Sequence, residues 1–151
     1  MDYLSKIRAE TSGGTLRAEL VEHPEIDGTK SEAAAKALGI PLGEILKCLL
    51  LVPERGGVPI VAILLGPDRL DLKKKFPNHR LARLEELKGV LGVGPGEVPP
   101  VFLPVPVVID GKVLKKELVA GSAGTKFAGI KLKPEEILKG NKIAKVAEIS
   151  V

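Results

Sequence analysis

Ile45-Leu46-Lys47-Cys48-Leu49-Leu50-Leu51-Val52 holds seven apolar residues and one lysine, and Pro53 closes it. An apolar run of this length, ended by a breaker, reads as a buried strand rather than a helix. Side chains alternate across a strand, so Lys47 shares a face with Ile45, Leu49 and Leu51. That face is expected to be core or the wall of a pocket. A lysine there either reaches an opening or is desolvated, and such groups in clefts mark functional sites. On pattern alone the plainer reading is an edge strand whose lysine snorkels to water.

Working outward, Pro53-Glu54-Arg55-Gly56-Gly57 is a turn and 58–65 a second apolar strand, so 45–65 reads as a hairpin. Upstream, Thr29-Lys30-Ser31-Glu32 has the capping-box pattern, with Thr29 as N-cap and Glu32 three residues on. An Ala-rich helix follows to Leu38, and Gly39 suits its C-terminal stop. Before it, residues 2–10 predict a helix with Tyr3, Leu4 and Ile7 on one side. Residues 17–22 predict a strand ended by His23-Pro24, where His23 by itself reads as a loop histidine.

Downstream, Asp68 or Asp71 is placed to cap a helix running through Lys75, and 79–83 predicts a short strand. Residues 84–91 predict a helix with Leu84, Leu87 and Leu91 on one face. The stretch 92–100 holds three glycines and three prolines and cannot be regular structure; a stiff loop of this kind suits a pocket rim. Residues 101–109 read as a strand interrupted by Pro104 and Pro106, with one edge unpaired, and Asp110-Gly111 as a turn. Residues 117–120 and 127–132 read as strands joined by Gly121-Ser122-Ala123-Gly124-Thr125, a second candidate rim. That loop has neither the lysine of a phosphate-binding loop nor the spacing of a dinucleotide fingerprint. Pro134 opens a helix with acidic residues in its first turn, and the tail from Asn141 predicts a last strand. These elements predict one α+β domain over 1–151. Six or seven mostly antiparallel strands are expected to close into a small barrel, with helices packed outside.

Composition narrows the function classes. Apolar residues make up 44% of the 151 and aromatic residues only 3%, so the core is built from Leu, Val, Ile and Ala. One cysteine excludes an internal disulfide framework and the common cysteine-based zinc sites. His23 and His79 show no ligand spacing, so no metal site and no cofactor is expected. The N-terminal segment lacks a signal-peptide core and no apolar run approaches membrane-spanning length, so a cytoplasmic protein without membrane contact is expected. The charge of +4 is compatible with a polyanionic partner.

Several segments occur in an ordered set. They are Glu22-His23-Pro24, Glu32-Ala33-Ala34 with Ala37-Leu38-Gly39, Lys47 with Leu49-Leu50, and Leu70-Asp71-Leu72. The set continues with Gly96-Glu97-Val98-Pro99-Pro100, Val107-Val108-Ile109-Asp110, and the glycine turn 121–124 before Ile130-Lys131-Leu132. In this order the chain resembles the YbaK/ProX family of aminoacyl-tRNA deacylases, whose domain also occurs as the editing insertion of bacterial prolyl-tRNA synthetases. The resemblance spans roughly residues 15–140. It departs at Cys48, where members commonly carry Ser or Thr, and at Val101-Phe102, where they commonly carry Phe-Gly.

The resemblance implies a mixed α/β barrel and hydrolysis of the ester in a misacylated tRNA, most directly Ala- or Cys-tRNA-Pro. It implies Lys47 as the main functional side chain, with Gly96 and Gly121 supplying backbone donors to the oxyanion. His23, Leu49, Val98, Pro100, Asp110, Ser122 and Gly124 form the expected substrate-binding set, with Asp110 fixing a turn rather than acting as a base. Substrate-assisted attack, through the ribose hydroxyl, accounts for the lack of a Ser-His-Asp set. Cys48 lies opposite Lys47 on a strand and reads as a buried thiol. Lys73, Lys74, Lys75, Lys115 and Lys116 are the expected contacts to the tRNA backbone. Aminoacyl-tRNA is the expected partner, with prolyl-tRNA synthetase as a second one, for a monomer or small homo-oligomer. The alternative is a non-catalytic module that binds tRNA or aminoacyl-adenosine beside a synthetase.

Overall fold

The computed structural model describes residues 2–151. Eight strands and six α-helices alternate irregularly along them. The sheet that carries Lys47 has five strands. Their spatial order is β4 (His79–Leu81), β2 (Leu46–Pro53), β3 (Ile60–Leu65), β5 (Val107–Asp110) and β8 (Ile143–Ala147). The other sheet has three, in the order β1 (Ala18–Glu22), β7 (Ala128–Leu132) and β6 (Val119–Thr125).

The expected hairpin is present: β2 pairs antiparallel with β3, with Lys47 opposite Leu64. Antiparallel pairing dominates, but β3–β5 and β5–β8 are parallel. A closed barrel does not form among the described residues. The two sheets stay separate, joined by one isolated parallel bridge between Ile45 and Ala120.

β2 is not an edge strand, as the plainer reading of Lys47 required. Its neighbour β4, however, pairs only with Leu51, Val52 and Pro53. Along Lys47–Leu49, the side of β2 away from β3 therefore faces the gap between the sheets. Leu46, Cys48 and Leu50 turn to the main core with Val61, Ile63 and Leu65. On the opposite face Leu51 joins Ala62, Phe76, Val108 and Ile149 in a second cluster.

The helices follow local chemistry. In α1 (Tyr3–Ser12) the Asp2 carboxylate accepts the Ser5 backbone N–H, and Tyr3 and Ile7 are buried. In α2 (Ser31–Leu38) Gly39 stops the helix in the left-handed region at φ 65°. Thr29 is not its cap: the Thr29 hydroxyl donates to Asp27 Oδ1 at 2.7 Å instead, and Lys30 holds the N-cap position. Asp71 caps α3 (Leu72–Lys75) through the Lys74 N–H. In α4 (Leu84–Leu91) Glu86 accepts the Arg83 N–H at 2.8 Å and pairs with Arg80 on β4. Leu84 does not join the buried face, being 52% exposed. Pro134 opens α6 (Pro134–Lys139) as expected.

Three local expectations are corrected. Residues 101–106 are not strand, because Pro104 and Pro106 break the ladder; they are nonetheless apolar and inward, with Val101, Leu103 and Val105 buried. Asp110-Gly111 is not a turn but the start of α5 (Gly111–Leu114), with Asp110 as N-cap accepting the Lys112 N–H. Residues 121–125 are not a loop but the body of β6, paired with β7 and bulged between Ser122 and Thr125.

Candidate active site in the gap between the sheets

The gap beside β2 is a cavity of about 260 Å³. Its walls are the free side of β2 (Ile45 to Leu49), the edge strand β6 with the start of β7, helix α2, and the segments around Gly28 and Gly96. An edge strand presents unpaired backbone N–H and C=O groups, and β6 presents its edge here through Gly121, Ser122 and Thr125.

Lys47 reaches this cavity from β2. Its Nζ donates a 2.7 Å hydrogen bond to the carbonyl of Asp68, in the turn after β3. A lysine ammonium has three donors, so this bond fixes its direction and leaves two. Cys48 is half-buried and packs against the main core. Burial pushes its thiol up to about 12. A thiol that stays protonated is a poor nucleophile.

Close approach requires the glycine at Gly96 and leaves little room at Gly121. Gly96 has φ 77°, and a Cβ there would lie 2.7 Å from Thr29 Cβ and 3.0 Å from the Thr29 carbonyl oxygen. The segment after α4 therefore presses on the entry to α2. Glu97 fastens it further, accepting the N–H of Gly94 at 3.0 Å and of Lys126 at 3.2 Å. At Gly121 a Cβ would meet Pro100 Cδ and Cγ, both at 3.2 Å.

His23 is buried, at 8% exposure, and lines the cavity. Its Nδ1 lies 2.9 Å from the carbonyl oxygen of Ile26. A carbonyl only accepts, so Nδ1 is the donor there, and in the neutral ring Nε2 is an acceptor.

Of the residues singled out from the sequence, Lys47, Cys48, Gly96, Gly121, His23, Leu49, Val98 and Ser122 line the cavity. Pro100, Asp110 and Gly124 do not. Pro100 backs Gly121 from the core side, and its carbonyl is held by Asn141 Nδ2 at 2.7 Å. Asp110 is fully buried at the N-cap of α5. Gly124 faces Tyr3, whose Cβ would be 2.6 Å from an added Cβ. Lys73, Lys74 and Lys75 are exposed on α3, away from the cavity lining; Lys115 is exposed and Lys116 half-buried just after α5. Sequence reading missed Gly28, Ser31, Ala34, Leu38, Ala128 and Gly129 in the lining. Ser31 alone carries a polar side chain; Gly129 alone had a legible cue, a glycine inside an apolar strand.

The chain matches the model of the aminoacyl-tRNA editing domain over residues 23–139. It belongs to that family. The match contains the cavity and every lining residue. A protein of Enterococcus faecalis named "Putative Cys-tRNA(Pro)/Cys-tRNA(Cys) deacylase EbsC" is 31% identical over an alignment of 119 positions that covers 74% of this chain and 72% of the relative. The solved structure of "a putative trans-editing enzyme for prolyl tRNA synthetase" superposes with a TM-score of 0.82 at 27% identity, covering 100% of this chain and 98% of the other. The solved structure of "hypothetical protein APE2540" superposes with a TM-score of 0.83 at 28% identity, covering 97% and 99%. Among the described residues no helix is long and apolar enough to cross a membrane.

Proposed function

We propose that this chain works in trans as a single domain, hydrolysing the ester of misacylated tRNA, with Ala- or Cys-tRNA-Pro as substrate. The observation that carries the reading is the cavity itself: within an editing-family fold, a directed lysine ammonium and the glycine backbone of two segments face a small apolar floor. Ala34, Leu38, Val98 and Ala128 on that floor suit a small side chain of low polarity. The relative named for Cys-tRNA(Pro) supports cysteine, and the structure named for prolyl-tRNA synthetase supports that enzyme as a partner.

The chemistry is an acyl transfer to water. Water adds to the ester carbonyl, the carbonyl oxygen takes up negative charge, and the bond to the ribose oxygen breaks. The amino acid leaves as its carboxylate, and the tRNA regains its hydroxyl. Lys47 and the N–H groups at Gly96 and Gly121 supply donors for the oxyanion. Each such donor is worth about 3–4 kcal/mol in the transition state. The neighbouring ribose hydroxyl of the substrate relays the proton, so no side-chain nucleophile is needed. A second site of this kind serves fidelity because one pocket separates amino acids differing by a methylene by only about 10–200-fold.

The test is hydrolysis of Ala-, Cys-, Ser- and Pro-tRNA-Pro by wild type, Lys47→Ala and Cys48→Ala. Turnover of one mischarged species, lost in Lys47→Ala and kept in Cys48→Ala, is the expected result. A folded protein that binds tRNA and turns over none of the esters would instead be a binding module working beside a synthetase.

A further inference from the structure

Few side-chain acceptors line the cavity. No aspartate or glutamate lines it. The Ser122 hydroxyl donates to the Thr125 carbonyl at 3.2 Å and accepts the Gly124 N–H at 3.1 Å. The Thr29 hydroxyl donates to Asp27, and the Thr125 hydroxyl accepts the Phe127 N–H at 3.4 Å. His23 differs. With Nδ1 committed to Ile26, Nε2 has no hydrogen-bond partner among the described residues. Nor is it among the buried polar atoms sealed away without a partner, so it opens to the cavity that His23 lines. Gly28 keeps that edge of the ring clear: a Cβ at residue 28 would come within 2.9 Å of His23 Cε1 and 3.4 Å of Nε2.

We infer that His23 Nε2 is the subsite for the α-amino group of the aminoacyl ester, with Gly28 keeping it open. The inference rests on the deacylase reading and deepens it. An aminoacyl ester offers N–H donors at its amine and oxygen acceptors at its ester and ribose. The cavity offers the reverse pair: an imidazole acceptor and the uncommitted donors of Lys47. A nitrogen acceptor suits an amine that must share the site with a lysine cation. An N-acetyl group leaves a single N–H and sets an acyl group against the ring edge that Gly28 barely clears, so a blocked amine pairs poorly with Nε2. The site is thereby selective for esters of free amino acids over N-blocked ones.

The probes are alanyl-tRNA and N-acetyl-alanyl-tRNA for hydrolysis. For binding they are 3′-(alanylamino)-3′-deoxyadenosine, whose amide linkage resists hydrolysis, and its N-acetyl form. Wild type is expected to favour the free amine by about tenfold or more in both measurements, the size of one buried hydrogen bond. His23→Phe should bring the preference to within about twofold, Gly28→Ala should reduce it, and His23→Gln, which retains an acceptor, should recover part of it. A merely structural histidine would weaken both forms alike and leave their ratio unchanged. Equal use of blocked and free forms by wild type, or an unchanged ratio in folded His23→Phe and Gly28→Ala, overturns the inference. If neither ester is hydrolysed but the amide analogue still binds with this preference, the deacylase reading fails while the subsite stands.

Discussion

Lys47 and Cys48 are consecutive residues on one strand, and the two faces of that strand treat them oppositely. Cys48 lines the same cavity but packs against the main core, where loss of water holds its thiol up to about 12. Lys47 turns to the gap between the sheets and gives one N–H to a carbonyl, 2.7 Å away. In isolation the thiol is the better nucleophile and the ammonium has no nucleophilic character. Their surroundings reverse the ranking of use: the reactive group is silenced and the unreactive one is aimed. A reactive residue type therefore says less about a site than the direction of its strand face.

The strongest way to break this contrast is Lys47→Ala. It removes a directed donor from the cavity and is expected to lower kcat/KM by about 10²–10³-fold. A loss under tenfold, measured by single-turnover deacylation, would mean that the backbone donors act alone. Next is Gly96→Ala. Its Cβ must enter the space 2.7 Å from Thr29 Cβ at φ 77°, a strain of about 1–3 kcal/mol. Urea unfolding should show that cost, and deacylation should fall with it, because Gly96 and Thr29 both line the cavity.

A smaller effect is expected on the Lys47 side of the sheet, where Leu72 and Phe76 pack α3 onto the cluster around Leu51. Replacing Lys73, Lys74 and Lys75 by alanine should leave the ester chemistry intact but flatten the salt dependence of tRNA binding, by about 0.7–0.9 in slope per lost phosphate contact. An unchanged slope removes α3 from the tRNA surface.

The smallest effect belongs to Cys48→Ala. Turnover should stay within about twofold, and stability should fall by about 1 kcal/mol, the scale of one small buried group. The thiol also sharpens the contrast through pH. Its folded value lies above the ordinary 9.0, so the folded protein keeps the proton where the unfolded chain releases it. That contribution to stability is intact below about pH 9 and is lost as pH rises towards 12. Alkaline unfolding of wild type and Cys48→Ala should therefore converge as pH rises; parallel curves would mean that Cys48 is not desolvated.

The same two faces explain what could be read in the chain. The hairpin of β2 and β3, the bounds of α4 and the stop at Gly39 follow from periodicity and glycine chemistry, which act over a few residues. The run Gly121–Thr125 did not, because its glycines and serine read as a turn while its strand comes from pairing with β7 and from Pro100 packed on Gly121. Thr29 had a cap's pattern, yet Asp27 lies two residues away and holds its hydroxyl. In the site, Lys47, Gly96 and Gly121 stood out by type. The cavity floor of Ala34, Leu38 and Ala128 carried no such mark, and Asn141, which secures the carbonyl of Pro100, read only as the start of a tail.

The bridge from Ile45 to Ala120 and the pairing of Ala18 with Leu132 bear on biosynthesis. The cavity draws on four stretches, around residues 23–38, 45–49, 96–98 and 121–129. Contacts this distant in sequence form late and slowly. A nascent chain therefore has no cavity until the stretch around residues 121–129 has left the ribosome and found its partners.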